Sequence, residues 1–376
     1  DSDFLNLHAA GTPEQLNASA TFDLNRLAEQ LGGFVDLGSL RLAGGGWAQL
    51  NWQQSDTKQF QVDGELHARE FELAFGDRPV GMKENLTLTF AAAGQTDFTS
   101  DTRIESAELA VHAGPERFDA RLTQPVLDLR DGGHWPVEVR SSGELARLSA
   151  RFAPWVPLGE WNLGGAYELQ GEATGSKTAI HLRNTRLTVA DLQVNGPGWR
   201  VREPRAELVV SGGWSHDQRR LELTSARLTG EGLSAQGENV ICTFPAQGSP
   251  QLIGTVSYRG NLDRLEKWTH DAAEPSPWHL LGQFAGKAEV RHSDGMTTAL
   301  VETTIADLVA THQSGRQFHE AQIQLAGRGA YDARTRSVHL EQASLRCGAL
   351  GLDTAGQIAL AGDQAEVELA GRLDYD

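Results

Sequence analysis

Catalysis requires nucleophiles, bases or metal ligands at workable spacings, so the histidines, cysteines and carboxylates are read first. The twelve histidines are scattered along the chain. His319-Glu320 could open a helical zinc-protease motif, but the residue four places after His319 is Ile323 and not a second histidine. Cys242 and Cys347 are the only cysteines, and neither belongs to a Cys-x-x-Cys pair. Two free thiols are expected, not a disulfide framework or a zinc site. With fifty aspartates and glutamates, carboxylates fall near one another by chance, and no pair is marked as an acid and a base. There is no Gly-x-Ser-x-Gly elbow, no P-loop and no Gly-x-Gly-x-x-Gly opening a helix. The sequence therefore reads as a protein that is not an enzyme and that uses no cofactor and no metal.

A different set of residues does recur. Arginine stands in Leu24-Asn25-Arg26-Leu27, in Leu145-Ala146-Arg147-Leu148 and in Leu262-Asp263-Arg264-Leu265, about 118 residues apart. Sixteen residues after the arginines stand Leu42, Leu163 and Leu280, and eighteen after them stand Gly44, Gly165 and Gly282. A repeat of this period describes how a chain is built. These arginines could touch a phosphate or a lipid headgroup. The expected role is structural: each pairs with the residue three places before it (Asp23, Glu144 or Asn261) and steadies a helix. The three glycines are expected to permit a turn or a close approach. Trp161 and Trp278, fourteen residues after Arg147 and Arg264, are expected to pack helix on sheet.

The elements that carry these residues follow from periodicity. Leu24, Leu27, Leu31 and Phe34 form one helical stripe, and Leu145, Leu148, Phe152 and Trp155 repeat it. The third unit keeps Leu262 and Leu265 but moves its aromatic to Trp268, which predicts a distorted helix. The rest alternates as strands. Leu86, Leu88 and Phe90 share one face, as do Leu208 and Val210, and Ile323 and Leu325. A later strand carries Leu109 and Val111, with Leu228 and Leu345 as its counterparts. Turn signals stand at Asp131-Gly132-Gly133, Gly196-Pro197-Gly198, Ser211-Gly212-Gly213 and Asp294-Gly295. They predict strands of roughly six to nine residues, about eight or nine per unit, in an antiparallel meander. The expected organisation is a lead-in strand at 1–16 and repeats at 17–132, 133–250 and 251–376, in one continuous body.

Glycine makes up 41 of 376 residues, above the usual share, as suits a turn-rich β protein. A net charge of −17 repels phosphate backbones, so no nucleic-acid partner is expected. No apolar run reaches the ~18 residues that a membrane span needs, and no secretion signal is present. The chain opens at Asp1 and reads as a mature or excised fragment.

Gly143-Glu144-Leu145-Ala146-Arg147-Leu148 and Gly260-Asn261-Leu262-Asp263-Arg264-Leu265 resemble the Gly-x-Leu-x-Arg-Leu segments of the AsmA-like family, TamB-like members included. In that family such segments lead through a short helix into Leu-x-Gly and many amphipathic strands. The first unit departs, with Phe22 in the place of the glycine. Ala226-Arg227-Leu228-Thr229-Gly230-Glu231-Gly232-Leu233 is similar in style. The resemblance covers the whole chain as a pattern. It implies a repeating β-groove: a mainly β fold whose elongated, twisted antiparallel sheet curls into a half-open groove, with one short helix per repeat. It further implies a periplasmic portion of an inner-membrane-anchored envelope protein that carries phospholipid or another acyl lipid and meets inner- and outer-membrane proteins through other segments.

One short helix covers the apolar face of only two or three strands, so most of each sheet has no covering element in sequence. A sandwich, a closed barrel and a trough filled by ligand all satisfy the alternation; the repeat favours a continuous curved sheet. The residues expected to line a lipid groove are Leu86, Leu88, Phe90, Leu109, Val111, Leu208, Val210, Leu228, Ile323, Leu325 and Leu345. The alternatives are a structural or adhesive β-solenoid with a dry interior, and an envelope enzyme acting on glycans.

Overall fold

The structure is a computed structural model and describes residues 4–26, 40–75, 78–79, 84–96, 102–127, 134–152, 159–245, 249–269, 276–361 and 364–375. The fold is mainly β: antiparallel sheet that does not close into a barrel, with a few short helices. Two compact units divide the chain. The first is Asp1–Ile180 with Leu187–Ala190, and the second is His181–Arg186 with Asp191–Asp376. The first holds β1 (Leu5–Gly11), β2 (Gln15–Asp23), β3 (Leu40–Gln54), β4 (Gln59–Phe75), β5 (Arg78–Pro79), β6 (Glu84–Thr96), β7 (Thr102–Ala113), β8 (Glu116–Leu122), β9 (Trp135–Glu144), α1 (Leu145–Phe152) and β10 (Asn162–Gly175). β11 (Ala179–Gly196) is divided between the units. The second holds β12 (Trp199–Ser215), β13 (Arg220–Thr229), β14 (Leu233–Thr243), β15 (Gln251–Asn261), α2 (Leu262–Thr269), β16 (Trp278–Ser293), β17 (Met296–His312), β18 (Gln317–Asp332), β19 (Ser337–Arg346), β20 (Leu350–Ala361) and β21 (Gln364–Tyr375).

The strands are longer and fewer than the turn signals predict. Ser211-Gly212-Gly213 is no turn: it lies inside the 17 residues of β12, where the register shifts between Ser211 and Gly212. The bulged residue is Thr224 of the facing β13, whose hydroxyl donates to the Ser211 carbonyl at 3.1 Å, and the glycines give the shifted backbone room to approach. The other two described signals are tight turns. Pro197 and Gly198 join β11 to β12, and Asp294 and Gly295 join β16 to β17 with φ of 53° and 80°, the left-handed pair that a two-residue hairpin needs. Asp131-Gly132-Gly133 lies outside the described residues.

The repeat is visible in backbone conformation. Gly44, Gly165 and Gly282 have φ of +117°, +118° and +137°. Gly44 bulges against Glu70 (φ +50°) and Gly282 against Asp307 (φ +51°). A side chain on Gly282 would meet the carbonyl oxygens of Ala306 and Asp307 at 3.0 and 3.1 Å. Gly44 and Gly282 are close-approach bulges between long strands.

Both complete helices have eight residues, so Trp268 does not distort the third unit's helix; it is buried along with Leu262. Of the first predicted helix, Leu24–Arg26 form the opening turn, and the N–H groups of Asn25 and Arg26 donate to Asp23 Oδ1 at 3.0 and 3.2 Å. Leu27, Leu31, Phe34 and Trp155 lie outside the described residues.

Little of the chain is core. The accessible surface is 23882 Å² for 40.7 kDa. Few side chains of the described residues are fully buried. The one cluster of mutually packed buried residues described is Leu262, Phe284, Leu308 and Ile323, beneath α2.

Candidate functional site

Directly paired residues of neighbouring strands point to the same face of a sheet, so the registers assign every side chain to a side. In the first unit one row runs Leu7, Ala20, Ala48, Leu66, Leu88, Val111, Phe118, Ser141, Leu169 across nine strands. The next row on that face runs Ala9, Ala18, Leu50, Gly64, Phe90, Leu109, Ala120, Val139, Gly171. The opposite face reads Ser19, Gln49, Glu65, Thr89, Ala110, Asp119, Arg140, Gln170. Period-two alternation has thus produced one apolar and one polar face.

The second unit is built alike. Leu208, Leu228, Ala235, Tyr258, Gly286, Thr303, Leu325, Leu345, Leu352 and Leu373 form a row across ten strands. Its one hydroxyl outside tyrosine is satisfied within the row. The Tyr258 ring lies across Gly286, and its hydroxyl meets Thr303 Oγ1 at 2.7 Å. In the first unit Ser141 and Tyr167 satisfy each other the same way at 3.1 Å.

All eleven residues expected to line a groove lie on the apolar face of their unit. Ile323 is sealed in the α2 cluster, and the half-buried Leu325 and Leu345 pack against that cluster. The other ten are half-buried, or exposed in the case of Leu228 at 37%. Sequence reading missed many residues of the same rows, among them Leu50, Leu66, Phe118, Leu169, Tyr258 and Leu352. The alternation in their own strands carries the signal, but only the register places them in one row. A depression of about 320 Å³ opens on this face of the second unit, between Val301, Thr303, Leu325, Gly327, Ala343, Leu345 and Leu352. A depression of about 340 Å³ in the first unit is lined mostly by residues of the opposite face, with Phe90, Leu109 and Ala120 of the second apolar row also in its wall. It lies among Glu108, Asp119, Arg121, Glu138 and Arg140 on the polar face, where Arg121 Nε and Arg140 Nη2 hold Glu138 at 2.7 and 2.8 Å. Those two guanidiniums keep the Glu138 carboxyl below the usual carboxylate range.

Of the recurring arginines, one takes the expected partner and two do not. Arg26 pairs with Asp23 at 3.6 Å, as the i,i+3 spacing predicts. Arg147 and Arg264 reach strand ends instead. Arg147 bonds Glu84 and stands 3.7 Å from Glu116, while Arg151 reaches Glu84 at 3.3 Å and bonds Glu116. Arg264 bonds Glu231 at 2.9 Å. Two arginines and two glutamates therefore close the end of the first unit's apolar face under α1. Burial holds the Glu116 carboxyl above its usual value, with Arg151 opposing the shift. Trp161 and Trp278 are 40% exposed, and Trp278 meets His312 edge-on.

Cys242 and Cys347 are free thiols. Among the described residues no three histidine, cysteine or carboxylate side chains gather as a metal site, and no helix is long and apolar enough to cross a membrane. The registers thus give each unit an extended apolar sheet face. Comparison with family models, curated proteins and solved structures finds no match to this chain.

Proposed function

We propose that this chain is a lipid-carrying segment, a portion of a bridge-like lipid-transfer protein of the bacterial envelope that shelters acyl chains along an apolar groove. The observation that carries the reading is the set of apolar rows left in contact with water. In the second unit the Leu208 row crosses ten strands, about 43 Å at ~4.8 Å per strand. An acyl chain occupies about half of a bilayer's ~30 Å core, so the row could take several chains end to end. Each methylene removed from water contributes about 0.8 kcal/mol. No covalent step is needed. The resemblance to the AsmA-like family supports the same reading and with it a periplasmic setting, phospholipid as cargo, and membrane proteins of the envelope as partners.

The test is native mass spectrometry with lipid extraction on protein purified without detergent. Bound phospholipid in variable number is the expected result. A lipid-free protein, folded and monodisperse, would overturn the reading in favour of a structural sheet.

A further inference from the structure

The two complete helices stand at equivalent places in the repeat but are held down by different chemistry. Thirty-one residues before Arg147 and Arg264 stand Glu116 and Leu233, and four after them stand Arg151 and Trp268. In the first unit a row of Ala68, Leu86, Ala113, Glu116, Gly143 and Tyr167 runs at the helix end of the apolar face. Glu116 is the only charged side chain in that row and in the Leu7 and Ala9 rows that follow it. It is 5% exposed, and its cations come from the helix. Arg151 pairs with it, Arg147 stands 3.7 Å away, and both arginines also reach Glu84 of β6. In the second unit the matching row is Leu233, Gly260, Phe284, Ile305 and Ile323, without a charge. There α2 is seated by Leu262 and Leu265 in the apolar cluster that Leu233 joins, and by the buried Trp268. Its Arg264 turns outward to Glu231, whose side chain is 53% exposed.

These two seats differ in how readily they open. Taking charges out of water costs about what their mutual attraction returns, and apolar residues in place of a buried ionic cluster often hold tighter. When α1 lifts, four charges regain water and offset the lost pairing. When α2 lifts, apolar surface is wetted and nothing of that size offsets it. We infer that α1 is a releasable lid on the first unit's apolar face, whereas α2 is a fixed cover on the second's. Lifting α1 uncovers Glu116 and opens the rows at the strand ends. That this opening admits cargo rests on the lipid reading; the lid itself does not.

The experiment is hydrogen exchange on the whole chain, read at the helix-bonded amides of residues 149–152 in α1 and 266–269 in α2, each corrected for its intrinsic rate. A helix of eight residues is not stable in water by itself, so exchange reports its release from the sheet. The α1 amides should exchange about tenfold faster than those of α2. Raising salt from about 0.05 to about 0.5 M shortens the screening length roughly threefold, and should speed α1 about threefold while leaving α2 within about twofold. Equal exchange of the two helices, or an α1 rate indifferent to salt, would overturn the inference. Glu116→Leu with Arg151→Trp gives α1 the second unit's residues and should slow its exchange about tenfold. A folded variant that exchanges no slower than the unmodified chain would also overturn it. If the variant does not fold, the salt comparison decides alone, since it needs no substitution. A chain with this exchange behaviour but no extractable lipid would keep the lid and remove only its role in admitting cargo.

Discussion

Aspartate placed at Leu228 and at Ile323 should have opposite consequences, although both residues lie on the apolar face of the second unit. Ile323 is 9% exposed and surrounded by Leu262, Phe284 and Leu308. Removing a fully buried isoleucine forfeits about 1.5–3 kcal/mol. A carboxylate in that cluster has no partner there, and it adds several kcal/mol or takes up a proton. The total, about 5 kcal/mol, equals the whole stability of a marginal domain. Leu228 is 37% exposed, so it forfeits at most about two-thirds of the same transfer term, about 1–2 kcal/mol, and its aspartate stays in water. Strand propensity cancels, because the incoming residue is the same. At a urea slope of roughly 1–3 kcal/mol/M, the two midpoints should differ by about 1–3 M. Urea unfolding followed by circular dichroism measures this, and extraction of lipid from the folded Leu228→Asp protein measures cargo. Ile323→Asp should unfold; Leu228→Asp should fold with less lipid than the unmodified chain. Equal loss of stability would show that the uncovered rows are packed as core. A folded Leu228→Asp with undiminished lipid would remove the rows from any transport path.

Three further outcomes follow from the strand ends. Arg147→Ala leaves Glu84 and Glu116 with Arg151 alone. Breaking a buried pair costs about 3–5 kcal/mol, and the surviving partner reduces this to about 2–3, whereas Arg26→Ala, at a largely exposed pair, should cost under about 1 kcal/mol; urea midpoints compare the two. Glu116 has its folded-state pKa raised above 4.5, mainly by burial, so the folded protein holds that proton longer than the unfolded chain. Its effect is nil well below pH 4.5 and grows more destabilising as pH rises through the raised value. Stability of the unmodified chain relative to Glu116→Gln should therefore fall as pH is raised from 4 to 7, and a rise in urea titrations would refute the assignment. Gly282→Ala, at φ +137° against two carbonyl oxygens, should cost about 1–3 kcal/mol, more than Gly315→Ala at φ +85° in open space, as thermal unfolding would show.

Local rules in the sequence were enough for some features and not for others. Alternation put Leu86, Leu88 and Phe90 on one face, and helical spacing found Leu145 and Leu148, because both depend on neighbours a few residues away. Asp294-Gly295 was legible as a hairpin because two left-handed residues in succession demand such side chains. Ser211-Gly212-Gly213 was misleading, because glycines serve bulges and turns alike and only the facing strand decides between them. Arg147 and Arg264 were misassigned for a related reason. Asp23 is a sequence neighbour of Arg26, but Glu84 is 63 residues from Arg147, and pairing at that distance depends on register. The same holds for the rows themselves: Phe118 belongs with Leu88 through Val111, a relation that no single strand contains.

The sizes of the side chains across the second unit's face bear on whether it is a core or a conduit. Beside the Leu208 row runs a row of Val210, Ala226, Gly237, Val256, Ala288, Val301, Gly327, Ala343, Thr354 and Gly371. Nothing in it is larger than valine over ten strands. A face that packs against a second layer alternates large and small residues so that the layers interlock. A row of small residues beside a row of leucines instead makes a furrow running across the strands, in the direction a sliding chain would take, with no place along it that favours stopping. Ala343→Phe tests this. Ala343 is half-buried and lines the depression beside Leu345, so a ring has space to stand in the furrow, and stability should change by less than about 1 kcal/mol. Bound lipid should fall, because one bulky residue interrupts the path. If Ala343→Phe unfolds the unit, the furrow is packed and the conduit argument fails; if it folds and binds lipid undiminished, the chains do not lie in this row.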